Sequence, residues 1–195
     1  MDITGLTGHS GSGKTTVAKI MSDHGFYHID CDRLVHEKVY TDKEVLSKIS
    51  DTFGRHLVAD GQLDRKTLAK LVFTDKTAYN KLMKLIEPAI FSKLEAELEQ
   101  NKDKHILLDA PTLFEFGLQG RCTRIIGVVS DNAVERICSR DKIDESAAKL
   151  RLSNQKSADF YRQNCDITIE NNEDIESLKN QTIAIAQSIL KGTEL

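Results

Sequence analysis

The stretch Gly8-His9-Ser10-Gly11-Ser12-Gly13-Lys14-Thr15 constrains this chain more than any other, because it fits G-x-x-x-x-G-K-[ST] at every fixed position. Glycines at this spacing let a backbone curl round a phosphate with its N–H groups turned inward and no Cβ in the way. Lys14 then reaches the β- and γ-phosphates of a nucleotide, and the Thr15 hydroxyl goes to Mg²⁺. A helix opening behind the loop adds its dipole. The flanks agree with this reading. Asp2-Ile3-Thr4-Gly5-Leu6-Thr7 is a short apolar run that predicts a buried strand, and Val17, Ile20 and Met21 repeat at helical spacing until Gly25 ends the pattern. The expected ATP-binding set is Gly8, Ser10, Gly11, Ser12, Gly13, Lys14, Thr15 and Thr16, with Thr15 on the metal.

Beyond the loop, Phe26-Tyr27-His28-Ile29 predicts a second strand, closed by Asp30-Cys31-Asp32. From about 31 to 101 the pattern is almost wholly helical, with a turn at Asp60-Gly61, an N-cap at Asp64 and a helix opening at Pro88. His105 to Ala110 and Arg124 to Val129 are nearly continuous apolar runs, as suits strands buried on both faces of a parallel sheet. Residues 131–163 read as helical and charge-rich, 166–170 as a last strand and 174–191 as a last helix. Strand–helix alternation at both ends with a helical insertion between them predicts a three-layer α/β sandwich. Ligands in such sheets bind beyond the carboxyl ends of the strands, where Gly8 to Thr15, Asp30 to Asp32 and Asp109 to Glu115 fall.

Composition narrows the function. The 195 residues carry a net charge of −3, which argues against a nucleic-acid partner over the whole surface. No stretch approaches the ~18 apolar residues of a membrane helix. Four scattered cysteines without a CxxC, and a start lacking a leader pattern, read as a protein of the reducing cytoplasm. His24 and His28 stand four apart, but Gly25 between them argues against a metal pair. A guanine-specific element is also missing, since Asn101-Lys102-Asp103-Lys104 has lysine where aspartate belongs. A small-molecule kinase needs a base, an acceptor pocket and positive charge over the moving phosphoryl. Asp30 or Asp32, the helical insertion, and Arg136, Arg140 and Arg151 are the candidates. An ATP-dependent switch is the alternative from another class.

An ordered series of motifs then resembles the dephospho-CoA kinase family along essentially the whole chain. It runs from Gly5-Leu6-Thr7-Gly8 and the phosphate loop to Asp30-Cys31-Asp32 with Leu34-Val35-His36, then to Asp60-Gly61-Gln62-Leu63-Asp64-Arg65 with Val72-Phe73. Asp109-Ala110-Pro111-Thr112-Leu113-Phe114-Glu115, Arg136 to Arg140, Arg151 with Gln155, and Asp166 to Asn171 complete it. The chain departs from the family at Glu87-Pro88, where His-Pro is usual, and at Thr112. The resemblance implies transfer of the ATP γ-phosphoryl group to the ribose 3′-hydroxyl of dephospho-CoA. By matching position it implies Asp32 as general base, Lys14 and Arg140 on the phosphates, Asn171 near adenine, and Asp109 on Mg²⁺ through water. Asp32, His36, Arg65, Leu113 and Glu115 would hold the acceptor. The fold it implies has a nucleotide core (about 1–30, 103–135 and 164–195), an acceptor insertion (31–102) and a lid (136–163).

Overall fold

The computed structural model describes residues 1–193, the side chain of Phe73 excepted. Glu194 and Leu195, at the end of the expected core range, and the Phe73 side chain lie outside the described residues. The chain divides into two compact units, Met1–Ile29 with Asn101–Leu195, and Asp30–Gln100.

The first unit is built on a five-stranded sheet. Its strands are β1 (Asp2–Gly8), β2 (Tyr27–Asp30), β5 (His105–Asp109), β6 (Arg124–Val129) and β7 (Ile167–Glu170), in the order β2-β5-β1-β6-β7. β1 runs parallel to both β5 and β6, and β6 parallel to β7. Leu6 pairs with Asp109, Gly8 with Val128 and Val129 with Glu170, so the carboxyl ends of four strands open on one edge. The chain leaves β1 at the point where later strands lie on either side of it, which is where open α/β sheets bind ligands.

Helices α1 (Lys14–Asp23) and α9 (Ile175–Lys191) cover one face of this sheet. Val17, Ala18 and Met21 of α1 and Leu178, Ala186 and Ile189 of α9 close a core with Leu6, Leu107, Ile126, Val128 and Ile169. On the other face, Gly127 lets α8 (Ala158–Asn164) come close: a Cβ there would lie 2.8 Å from Cys165 Sγ and 3.2 Å from Tyr161 Cβ. Burial holds the thiol of Cys165 up at about 12 and that of Cys122 at about 11, so both behave as small apolar side chains. The expected helical stretch 131–163 is three helices: α6 (Ala133–Asp141), α7 (Glu145–Ser153) and α8. Lys142 in the left-handed region (φ 56°) ends α6, and the Asp144 and Ser157 side chains cap the two that follow.

The second unit is helical with one short hairpin. Asp30 accepts the Arg33 amide at 2.9 Å to open α2 (Cys31–Leu34), which continues as a π-helical turn over Val35–Val39. Then come α3 (Lys43–Phe53), the antiparallel pair β3 (Val58–Ala59) and β4 (Gln62–Leu63) joined at Asp60-Gly61, and α4 (Arg65–Thr74). Asp64 caps α4 as the sequence predicts, accepting the Thr67 amide at 3.0 Å. Pro88 is a correction. No helix opens there; α5 runs unbroken from Lys76 to Gln100 with Pro88 inside it. An interior proline costs ~3 kcal/mol through a lost hydrogen bond and a clash. Pro88 lies on the exposed side of the helix, while Leu82, Ile86, Leu94 and Leu98 hold the helix by burial.

Candidate active site

The phosphate loop leaves the end of β1 and becomes α1 through Gly13, whose φ of 96° and ψ of 11° put it in the left-handed region. A side chain is excluded there twice over, since a Cβ would also collide with the Asn171 amide nitrogen. No side chain caps α1, and its first turn holds no acidic residue, so its N–H groups and dipole remain available to an anion.

Two buried side chains tie the loop to the neighbouring strand ends. His9, 7% exposed, has Nδ1 3.0 Å from the Ser10 carbonyl and Nε2 3.2 Å from the Ser130 amide. The amide must donate to Nε2, so the proton sits on Nδ1 and the ring serves both partners in one tautomer. Asn171, just past β7 and 6% exposed, donates its amide to the Ser12 carbonyl at 2.7 Å and accepts from Arg136 Nη2 at 3.4 Å. Ser130 Oγ in turn donates to the Asn171 carbonyl at 2.8 Å. Ser12 is itself 1% exposed, and its Oγ is buried without a hydrogen-bond partner.

The cation of the loop is held by an anion of the sheet. Lys14 Nζ binds Asp109 Oδ1, and His28 Nε2 lies 3.1 Å from Asp109 Oδ2, so both oxygens of this carboxylate (6% exposed) are committed. His28 therefore works with Asp109 rather than with His24, whose Nδ1 lies 2.7 Å from the Ile20 carbonyl.

Further along, Arg140 forks onto Asp141 (Nε–Oδ1 2.7 Å, Nη2–Oδ2 3.0 Å), and Arg151 binds the same carboxylate. These hydrogen bonds, Arg140's first, pull the Asp141 carboxyl from its usual 3.8 to about 2. The bond to Asp141 likewise raises the already high pKa of Arg140. Arg140 Nη2 also lies 3.3 Å from Ser10 Oγ, which brings it to the loop. A cavity of about 390 Å³ is lined by Asn132, Glu135, Arg136, Ser139 and Arg140. Thr15 is exposed and Thr16 half-buried at the start of α1.

Within the helical unit, Asp32 is exposed in the first turn of α2, and Asp30, not Asp32, is the cap. His36 and Arg65 line one cavity of about 270 Å³ with Tyr40, Thr41, Gly61, Gln62 and Leu63. Leu113 is 0% exposed and packed against β1, where a Cβ on Gly5 would meet it at 2.8 Å. Glu115 is exposed, and its charge helps to hold the buried Tyr161 hydroxyl up at about 12, an effect led by burial. His9, His28 and Ser130 carry no local sequence signal for the contacts between segments, because Ser130, Asp109 and Asn171 lie 121, 81 and 41 residues from them.

The comparisons with known proteins agree with one another. Residues 2–177 match the family model described as dephospho-CoA kinase. The dephospho-CoA kinase of Fusobacterium nucleatum is 35% identical over 190 residues, covering 96% of this chain and 98% of that protein. That of Moorella thermoacetica is 36% identical over 171 residues, covering 83% and 81%. The crystal structure of dephospho-CoA kinase from Campylobacter jejuni superposes with a TM-score of 0.75 at 26% identity, covering 97% and 98%. A match over nine-tenths of the sequence, with relatives above 30% identity along nearly all of it, establishes that this chain belongs to the dephospho-CoA kinase family.

Proposed function

We infer that the protein transfers the γ-phosphoryl group of ATP to the 3′-hydroxyl of dephospho-CoA, giving CoA and ADP, the last step of coenzyme A synthesis. The observation that carries this reading is the complete phosphate loop, braced at the carboxyl ends of the strands, in a chain that is a family member over residues 2–177.

The chemistry follows from the side chains. The acceptor oxygen attacks the γ-phosphorus, the bond from that phosphorus to the β–γ bridging oxygen breaks, and ADP leaves. A ribose hydroxyl is far too weak an acid to ionise unaided at neutral pH, so a carboxylate takes its proton as transfer proceeds. Asp32 fills that role from the first turn of α2, where it is exposed. Lys14 exchanges Asp109 for the β- and γ-phosphates, which keeps a half-buried cation paired throughout. Arg140, beside Ser10, adds charge to the phosphoryl oxygens during transfer. His36 and Arg65, on one cavity of the helical unit, bind the acceptor, with exposed Glu115 a weaker contributor. Residues 136–163 form the lid, since phosphoryl transfer to an alcohol must exclude water.

Mg²⁺ keeps several of its waters and takes one or two protein oxygens besides phosphate. The donors here fit that habit. No group of three or more His, Cys, Asp or Glu among the described residues could hold a metal. The Thr15 hydroxyl would hold it directly and Asp109 through water. When bound, it neutralises charge on the β- and γ-phosphates. The substrates are small molecules, nucleic acid is not a partner, and the cytoplasm is the site of action. No helix among the described residues is long and apolar enough to cross a membrane.

The test is ADP release by the purified protein with dephospho-CoA against a panel of nucleoside monophosphates, with the product identified by mass. CoA formed in step with ADP is expected. Phosphorylation of another acceptor, or ADP without a phosphorylated metabolite, overturns the assignment in favour of another kinase or of a switch.

A further inference from the structure

A phosphate loop works by presenting backbone N–H groups to phosphate oxygens. One backbone N–H of this loop already has a side-chain partner. The Ser10 amide donates to Gln155 Oε1 at 2.8 Å, across 145 residues of sequence. Gln155 lies between the end of α7 at Ser153 and the start of α8 at Ala158, its own amide donating to the Leu152 carbonyl at 2.9 Å. Its side chain is exposed, so core packing does not dictate the contact. A primary amide offers the loop a neutral oxygen that accepts a hydrogen bond, as a phosphate oxygen does. The cations nearby are answered in the same way: Lys14 by Asp109, and Arg140 and Arg151 by Asp141.

We propose that Gln155 holds the place of a phosphate oxygen on the loop, so that nucleotide binds by displacing it from the Ser10 amide. Gln155 is then a determinant of nucleotide affinity. It also ties the α7–α8 segment to the loop when no nucleotide is present. A neutral, exposed hydrogen bond of this kind is worth ~2- to 10-fold in an equilibrium constant. Removing the competitor therefore strengthens binding by that factor, whereas deleting an ordinary ligand residue would weaken it. The two readings differ in sign.

The inference rests on the loop's binding nucleotide, and the experiment separates the two. Isothermal titration of ADP and of the β,γ-imido analogue of ATP would be run on wild type, Gln155→Ala and Gln155→Glu. Gln155→Ala is expected to bind both ~2- to 10-fold more tightly than wild type. Gln155→Glu, with a charged acceptor of the same length facing the incoming phosphates, is expected to bind at least ~5-fold more weakly. In nucleotide-free protein the Ser10 amide should exchange its hydrogen faster in Gln155→Ala than in wild type, read residue by residue by NMR. Unchanged or weaker binding by Gln155→Ala, or equal Ser10 exchange, overturns the place-holder. If wild type and both variants all ignore ADP, the functional assignment falls and the place-holder with it.

Discussion

Asn171→Ala tests whether the phosphate loop is held in shape from the end of β7. The Asn171 side chain supplies the donor to the Ser12 carbonyl at 2.7 Å, inside a site where Ser12 is 1% and Asn171 6% exposed. Truncation leaves a buried carbonyl without a donor, which costs ~1–3 kcal/mol. The emptied volume, roughly 40 Å³, adds ~1 kcal/mol if the site does not collapse. The long contact to Arg136, at 3.4 Å, adds little. The sum of ~2–4 kcal/mol should lower Tm by roughly 5–15 °C for a chain of this size. Because the same carbonyl precedes Gly13 and the first turn of α1, KM for ATP should rise ~10-fold while KM for dephospho-CoA moves little. Asn171→Asp keeps the volume and the partner for Arg136 but sets a carboxylate against the Ser12 carbonyl, so at neutral pH it should lose at least as much. Chemical denaturation with steady-state kinetics at varied ATP would measure both effects. A variant within ~0.5 kcal/mol of wild type, or one destabilised as expected with an unaltered KM for ATP, would refute the bracing role.

Two other expectations are shorter. Asp32→Asn should cut kcat by ~10²- to 10⁴-fold, the usual range for losing a general base, with ATP affinity within ~2-fold of wild type; near-normal turnover would remove Asp32 from the mechanism. The folded-state pKa of Asp141 is depressed, so the stabilising contribution of its ion pairs is complete above 3.8 and is lost as pH falls through about 2. A carboxyl-carbon NMR titration should place its midpoint near 2 in wild type and nearer 3.8 in Arg140→Gln, and a wild-type midpoint at 3.8 would show that the fork is not formed in solution.

What the sequence made legible was local. The loop needs eight consecutive residues with given backbone freedom, and an alphabet of glycines plus lysine and threonine spells that out. The strands at 105–109 and 124–129 could be read because a strand buried on both faces must be apolar throughout. Caps such as Asp64 were readable for the same reason, the partner being three residues away. A misreading arose where tertiary structure outweighs a local rule. Pro88 looks like a helix start, yet burial of Leu82, Ile86, Leu94 and Leu98 carries α5 through it.

The braces of the loop are of the other kind. His9 meets Ser130 across 121 residues, Lys14 meets Asp109 across 95, His28 meets Asp109 across 81, and Asn171 meets Ser12 across 159. No periodicity or spacing encodes such pairs, and each residue alone has an ordinary reading as a cap, a turn or a surface side chain. They become legible one step later, once the strand order is known. Asp109 is the last residue of β5, Ser130 follows β6 directly, and Asn171 follows β7 directly. Parallel strands around β1 deliver all three to the edge from which the loop departs. A polar residue at the end of a buried parallel strand would otherwise be an unpaired liability; here the loop's carbonyls, amides and lysine supply the partner. The loop's shape is thus written twice in the chain, locally in its glycines and remotely in the residues that end its neighbouring strands.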